Sequence, residues 1–342
     1  MTQQTLAEIW YLLWAFLWGT YFTFEAYIVG TGILFPFLAK RKEEEQQLKK
    51  SIGPFWDSNE VWLIVAGGVT FATFPKTYAL LLSSFYIPFY LILFSLILRG
   101  PGIEFMDKIL SPSWKKKWIW ILCISSFFIP FLFGVAFSAI FSGLPIDEKG
   151  MHLSFFDVIN GYSILGGFTY TVLTLLSGCL WTSYKTLGKI QEKAALVAKI
   201  VWGAAVLLVF AYFIVFINFT TLFDSLENAP LLWSVPALCV LALLLTIFPL
   251  RKKKWLMSFV LASFAIFTLF ASGFTGMYPD MLPSYIDPQY SLTLYDAAGS
   301  QLNLTVMLWV AGLILPLVIT YKIWIYWLLK DKITEKNAQD YQ

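Results

Sequence analysis

Three acidic residues stand where a carboxylate is costly and where it could move protons. Glu25 falls inside an apolar run that ends at Leu38, 13 residues further on, a rise of about 20 Å in a helix. An isolated carboxylate at membrane depth costs at least about 2.5 kcal/mol, so it must face protein or water, be protonated, or serve proton or ion movement. The second group is Trp56-Asp57-Ser58-Asn59-Glu60-Val61-Trp62, at the start of the next apolar run. Asp57 and Glu60 are three residues apart and share a helix face. Two readings fit that spacing. In one, Asp57 caps the helix and Glu60 is its reciprocal partner, as in a capping box. In the other, Asp57, Glu60 and Glu25 form a proton relay of graded depth, with Trp56, Asn59, Trp62 and Arg99 as supporting polar and aromatic groups.

The elements that position these groups follow from composition. Of 342 residues, 58% are hydrophobic, 19% aromatic and 13% charged, against about 25% charged in a soluble domain. The apolar residues come in runs near the length a helix needs to cross about 30 Å of hydrocarbon, and the alternation of a membrane barrel is absent. The expectation is an all-α integral membrane protein forming one polytopic unit over residues 1–342. Its nine spans are expected at about 10–38, 56–73, 77–98, 118–141, 157–182, 198–219, 231–249, 255–277 and 303–328. The first run has no basic segment before it and no small-residue cleavage site, so it is expected to stay in the mature protein.

Orientation follows from charge. With Arg99 counted in a loop and Lys322 beside Lys330, Lys332 and Lys336, every basic residue except Lys76 and Lys149 falls on one side. That side is cytoplasmic, which puts the N-terminus outside, the C-terminus in the cytoplasm, and Asp57 and Glu60 at the inner mouth. The net charge of +3 therefore reports topology and gives no reason to expect a nucleic-acid partner. The opposite loops carry acids, among them Asp147, Glu148, Asp224, Glu227, Asp280 and Asp287. The charged run from Lys40 to Lys50 reads as a solvated turn. The stretch from Tyr278 to Leu302, with Pro279, Pro283 and Pro288, reads as an ordered external loop. Trp10, Trp14, Trp118, Trp120, Trp233, Trp255 and Trp324 read as headgroup anchors. Gly30, Gly32, Gly67, Gly68, Gly166 and Gly167 read as helix-packing positions.

Other chemistries are excluded or unsupported. The single histidine, His152, lies in an external loop, and one histidine cannot hold several haems. Cys123, Cys179 and Cys239 all fall in apolar runs without disulfide or metal-ligand spacing and read as packing residues. No phosphate-cradling loop, nucleophile elbow or zinc spacing occurs. A secondary transporter coupled to a proton or cation at Glu25 is the alternative function, although paired helix interruptions in two halves are not seen.

The motifs resemble a family. Glu25-Ala26-Tyr27-Ile28-Val29-Gly30-Thr31-Gly32 is followed by Ile52-Gly53-Pro54-Phe55-Trp56-Asp57-Ser58-Asn59-Glu60-Val61-Trp62-Leu63-Ile64, then Ala66-Gly67-Gly68, Phe74-Pro75, Arg99-Gly100 and Glu104-Phe105. Ser291-Leu292-Thr293 and Ser300-Gln301-Leu302-Asn303-Leu304-Thr305-Val306-Met307 close the match. Along essentially its whole length the chain resembles subunit II of cytochrome bd-type quinol oxidases. The resemblance implies two four-helix bundles, 10–141 and 157–277, plus a last helix, 303–328. It implies a complex in the bacterial plasma membrane that oxidises quinol and reduces O2 to water, with this chain neither holding haem nor catalytic by itself. The implied partner, subunit I, carries haems b and d and the quinol-oxidising loop; a small single-helix accessory subunit, lipid and quinone are the other expected partners. The resemblance also implies that Asp57 lies on a proton route from the cytoplasm, with Glu25 nearby. The chain departs from the family where many members have Gly-Phe-Asp after the first acid: it has Ala26-Tyr27-Ile28, so a second buried acid on that helix is missing.

Overall fold

Thr2 accepts a hydrogen bond from the Thr5 backbone N–H at 3.2 Å and starts a helix well before the first apolar run. That helix, α1 (Gln3–Leu38), is the axis of the computed structural model, which describes residues 1–108, 111–220 and 230–338. A short polar helix, α2 (Lys42–Ile52), leads to α3 (Trp56–Thr73), α4 (Pro75–Ser84), α5 (Tyr86–Phe105) and α6 (Pro112–Phe141). After a two-stranded ribbon of β1 (Ile146–Asp147) and β2 (Gly150–Met151) come α7 (Phe155–Val158), α8 (Gly161–Lys185) and α9 (Lys189–Phe219). The rest is α10 (Ser234–Leu245), α11 (Ile247–Arg251), α12 (Trp255–Met277), α13 (Leu294–Ala297) and α14 (Gln301–Leu328).

Eight helices among the described residues are long and apolar enough to cross a membrane. Up to nine do so if the stretch Lys42–Thr73 with Pro75–Ser84, bent by 118°, counts as one. This bend corrects the third expected span. Pro75 opens α4 after this bend, and the chain breaks again at Phe85 before α5 begins. The crossing helix is therefore displaced toward the C-terminus of the expected 77–98, and Arg99 lies inside it. Asp224 and Glu227 are outside the described residues.

α1 packs against α3, α6, α8, α12 and α14. Its closest crossing is with α8, where Gly30 faces Gly178: a Cβ on Gly30 would fall 1.8 Å from the Thr174 carbonyl oxygen. Only glycine permits that approach. Gly67 and Gly68 have nothing within 4 Å of a built Cβ, so their expected packing role is not met within this chain. Trp10 and Trp14 are also corrected from headgroup anchors: both are buried, with Nε1 donating to the Leu304 carbonyl at 3.0 Å and to Thr70 Oγ1 at 2.8 Å. Trp120 and Trp324 are exposed, as anchors would be.

The stretch from Tyr278 to Leu302, expected to be external, is ordered. β3 (Asp280–Leu282) pairs with β4 (Leu292–Thr293), and the Tyr285 N–H donates to the Leu144 carbonyl at 3.2 Å. On the other end the charged run is a helix, not a solvated turn. One face of α2 buries Glu44, Gln47, Leu48 and Ile52, and Gln47 Nε2 donates to the carbonyls of Leu187 and Ile333 at 3.1 and 3.0 Å.

Candidate functional site: a buried carboxylate pair bridged by Arg99

The N-cap of α3 is Phe55, so Asp57 stands inside the first turn and does not cap it. The capping-box reading therefore fails, and Glu60 is free to point elsewhere. It pairs with Arg99 of α5: Nη2 of the guanidinium meets Glu60 Oε1, while Nη1 meets Glu25 Oε1 of α1. Three helices thus meet at one cation. Arg99 is fully buried, the Glu25 side chain is 1% exposed and that of Glu60 25%. With both carboxylates ionised the cluster carries one net negative charge, which a single proton would neutralise. The Arg99 guanidinium also lies 5.9 Å from the Trp56 ring centroid, and Trp56 Nε1 donates to Glu104 Oε1 at 3.2 Å.

This contact revises the depth of Glu25. A 36-residue helix is about 54 Å long, well beyond the ~30 Å of hydrocarbon, so counting back from Leu38 overstates how deep Glu25 lies. It sits level with Glu60, one turn into α3. The graded ladder is thus a lateral bridge: Glu60 and Glu25 face one another across Arg99, and Asp57 is exposed one turn away toward the start of α3.

A second polar chain runs alongside. Asn59 Nδ2 donates to the Phe24 carbonyl at 2.9 Å and to Tyr27 Oη at 3.0 Å, and Tyr27 and Tyr326 share a hydrogen bond of 2.7 Å. Lys322 of α14 donates to the Ser58 carbonyl and, at 3.2 Å, to Asn59 Oδ1. Asn59 is therefore the hub of this chain, whereas Trp62 is an aromatic wall stacked on Phe24 with centroids 6.1 Å apart. An apolar cleft of about 650 Å³ adjoins it, lined by Phe24, Trp62, Phe259, Phe264, Ile323 and Tyr326 among others.

Arg99 and Lys322 correct the reading of basic residues as loop markers, since both are buried inside helices. For Lys322 the signal was present, because it falls within the expected span 303–328. For Arg99 it was hidden by the following Gly100-Pro101-Gly102, which reads as a break although α5 continues through it. Tyr27 and Tyr326 carried no signal of their own in an aromatic-rich chain.

His152 is exposed, with Nε2 3.2 Å from Asp147 Oδ1. The Cys123 and Cys239 thiols donate to the Ile33 and Ala265 carbonyls, both at 3.3 Å, and among the described residues no group of three His, Cys, Asp or Glu gathers as a metal site.

The family model for cytochrome bd terminal oxidase subunit II matches residues 6–329. The chain belongs to that family. It is 33% identical over 338 residues to cytochrome bd ubiquinol oxidase subunit 2 of Bacillus subtilis, covering 98% of this chain and 99% of the relative. To cytochrome bd-I ubiquinol oxidase subunit 2 of Escherichia coli K12 it is 30% identical over 368 residues, covering 98% and 97%. A chain of the solved bd oxidase from Geobacillus thermodenitrificans superposes with a TM-score of 0.72 at 18% identity, covering 96% of this chain and 100% of that one. At that identity the superposition speaks for the fold alone. As a subunit II, this is a multi-pass membrane protein and part of an oxidoreductase complex. The transporter reading finds no support in these matches.

Proposed function

We propose that this chain is the haem-free subunit II of a bacterial plasma-membrane oxidase that oxidises quinol and reduces O2 to water. In this reading it supports a haem-bearing subunit I and supplies a proton route from the cytoplasm: Asp57 at the exposed mouth, Glu60 at the wall, Glu25 behind Arg99. The single observation that carries the route is the Glu25–Arg99–Glu60 cluster. It holds two carboxylates at one cation, one of them partly open and the other closed, so a proton entering on Glu60 has an acceptor beyond it. Burying such a cluster is costly, and intramembrane ionisable groups of this kind mark proton or ion movement.

The remaining parts of the reading follow from the family and from topology. The N-terminus lies outside and the C-terminus in the cytoplasm, with α1, α3, α5 and α6 forming one bundle, α8 to α12 the second, and α14 a last helix packed on α1 and α3. Subunit I holds haems b and d. It covers the face where Gly67 and Gly68 meet nothing and where Ile64, Phe71, Tyr90 and Phe94 are exposed. A single-helix accessory subunit, lipid and quinone complete the complex. The test is a reduced-minus-oxidised spectrum of the complex purified through a tag on this chain. Haem d should travel with the tag, and after the subunits are separated all haem should remain with the partner; haem retained by this chain would overturn the assignment.

A further inference from the structure

Behind the ion pairs lie polar atoms that no protein group satisfies. Glu25 Oε2, Arg99 Nε and the Tyr21 hydroxyl are each buried without a hydrogen-bond partner among the described residues. Tyr21 is fully buried and precedes Glu25 by four residues, which puts both on one face of α1. Its ring is fixed edge-on against Phe133 at 5.4 Å and against Trp18 at 6.3 Å, so the hydroxyl is held in place by apolar packing alone. An acceptor and a donor lie within the Glu25–Arg99 pair, and the hydroxyl belongs to the residue one turn from Glu25 on the same face of α1. Buried polar atoms without protein partners are normally satisfied by ordered water, and two to four polar partners are what an internal water requires.

We propose that Glu25, Arg99 and Tyr21 bound a water-holding chamber through which a proton passes from Glu60 to Glu25, with Arg99 and Tyr21 as positioning residues of that step. The inference rests on the proposed proton route and names how its middle step works. Arg99 stays protonated in proteins and has no lone pair to relay a proton, yet it stands between the two carboxylates. Direct transfer is therefore blocked, and water must carry the proton around the guanidinium. In the step, the O–H bond of protonated Glu60 breaks as its proton joins a chamber water. That water releases another proton to Glu25 Oε2, leaving Glu60 as a carboxylate that pairs again with Arg99. The Tyr21 hydroxyl keeps its own proton and orients the water.

The test uses the intact oxidase complex and Tyr21→Phe, which removes one hydroxyl and keeps the ring packing. Arg99 variants are unsuited because the loss of a cation shared by two carboxylates lowers stability together with any change in the route. Two quantities are read: the rate of proton uptake after an O2 pulse, and the infrared water O–H bands that shift on exchange into H2(18)O. Tyr21→Phe should abolish or shift one such band and slow proton uptake about threefold to tenfold, the equivalent of one hydrogen bond, with haem content and thermal midpoint unchanged. A water spectrum and uptake rate like those of the wild type would overturn the chamber. Glu60→Gln, measured in parallel, separates the two readings. If it slows uptake while Tyr21→Phe changes nothing, the route stands and the chamber falls. If it leaves uptake unchanged while Tyr21→Phe removes the water band, the chamber holds water but the route is wrong.

Discussion

Taking away one partner of a buried ion pair leaves the other charged and desolvated, at a cost of about 3–5 kcal/mol. Arg99 serves two carboxylates, so Arg99→Met should destabilise the solubilised complex at least that much, read as its thermal unfolding midpoint. Adding Glu25→Met to Arg99→Met should recover part of the loss, because it removes the most deeply buried unpaired charge. Asp57 is exposed and caps nothing. Asp57→Asn should therefore leave the midpoint within about 0.5 kcal/mol while slowing turnover. Glu25 was legible in the sequence because an acid in an apolar run has few explanations. Its partner was not, since the assignment of Arg99 depended on a helix end that the sequence places at Leu98 and the structure places at Phe105. Nor could spacing alone decide between cap and relay for Asp57 and Glu60. That choice turns on whether the N-cap of the helix is Asp57 or, two residues earlier, Phe55.

At the scale of elements, the α1–α8 crossing and the α2 latch make separate predictions. Gly30→Val would drive a side chain into the Thr174 backbone and should abolish assembly, seen as loss of the intact complex on native gels. Gly67→Ala meets open space within this chain, so any loss it causes must come from the partner. In α2, burial would raise the Glu44 carboxyl. Lys193, at 2.8 Å, and the backbone N–H groups of Lys40 and Arg41 more than offset this and hold it at about 2, below the ordinary 4.5. A depressed carboxylate stabilises above its ordinary value and loses that contribution as pH falls toward its folded value. The stability gap between the wild type and Glu44→Gln should therefore be full at pH 7 and shrink between about 4.5 and 2, read by hydrogen exchange in α2. Lys49 and Lys115, each near Asp107 at 3.2 and 3.0 Å, extend this network to the α5–α6 connection. The crossing helices were legible from run length and charge. α2 and α4 were not: one carries its buried face amid charges, and the other is an apolar segment bent away from α3 at Pro75.

For the whole molecule, family membership and the fold agree, and in the proposed function the chain's contribution to the complex is the direction of proton entry. The most direct test follows proton uptake from the cytoplasmic side when the reduced complex, reconstituted in vesicles, meets O2, comparing the wild type with the Asp57→Asn/Glu60→Gln double variant at equal haem content. The account predicts uptake slowed by at least about tenfold, in line with the loss of a positioned proton carrier. Uptake at the wild-type rate, with haem spectra unchanged, would contradict it.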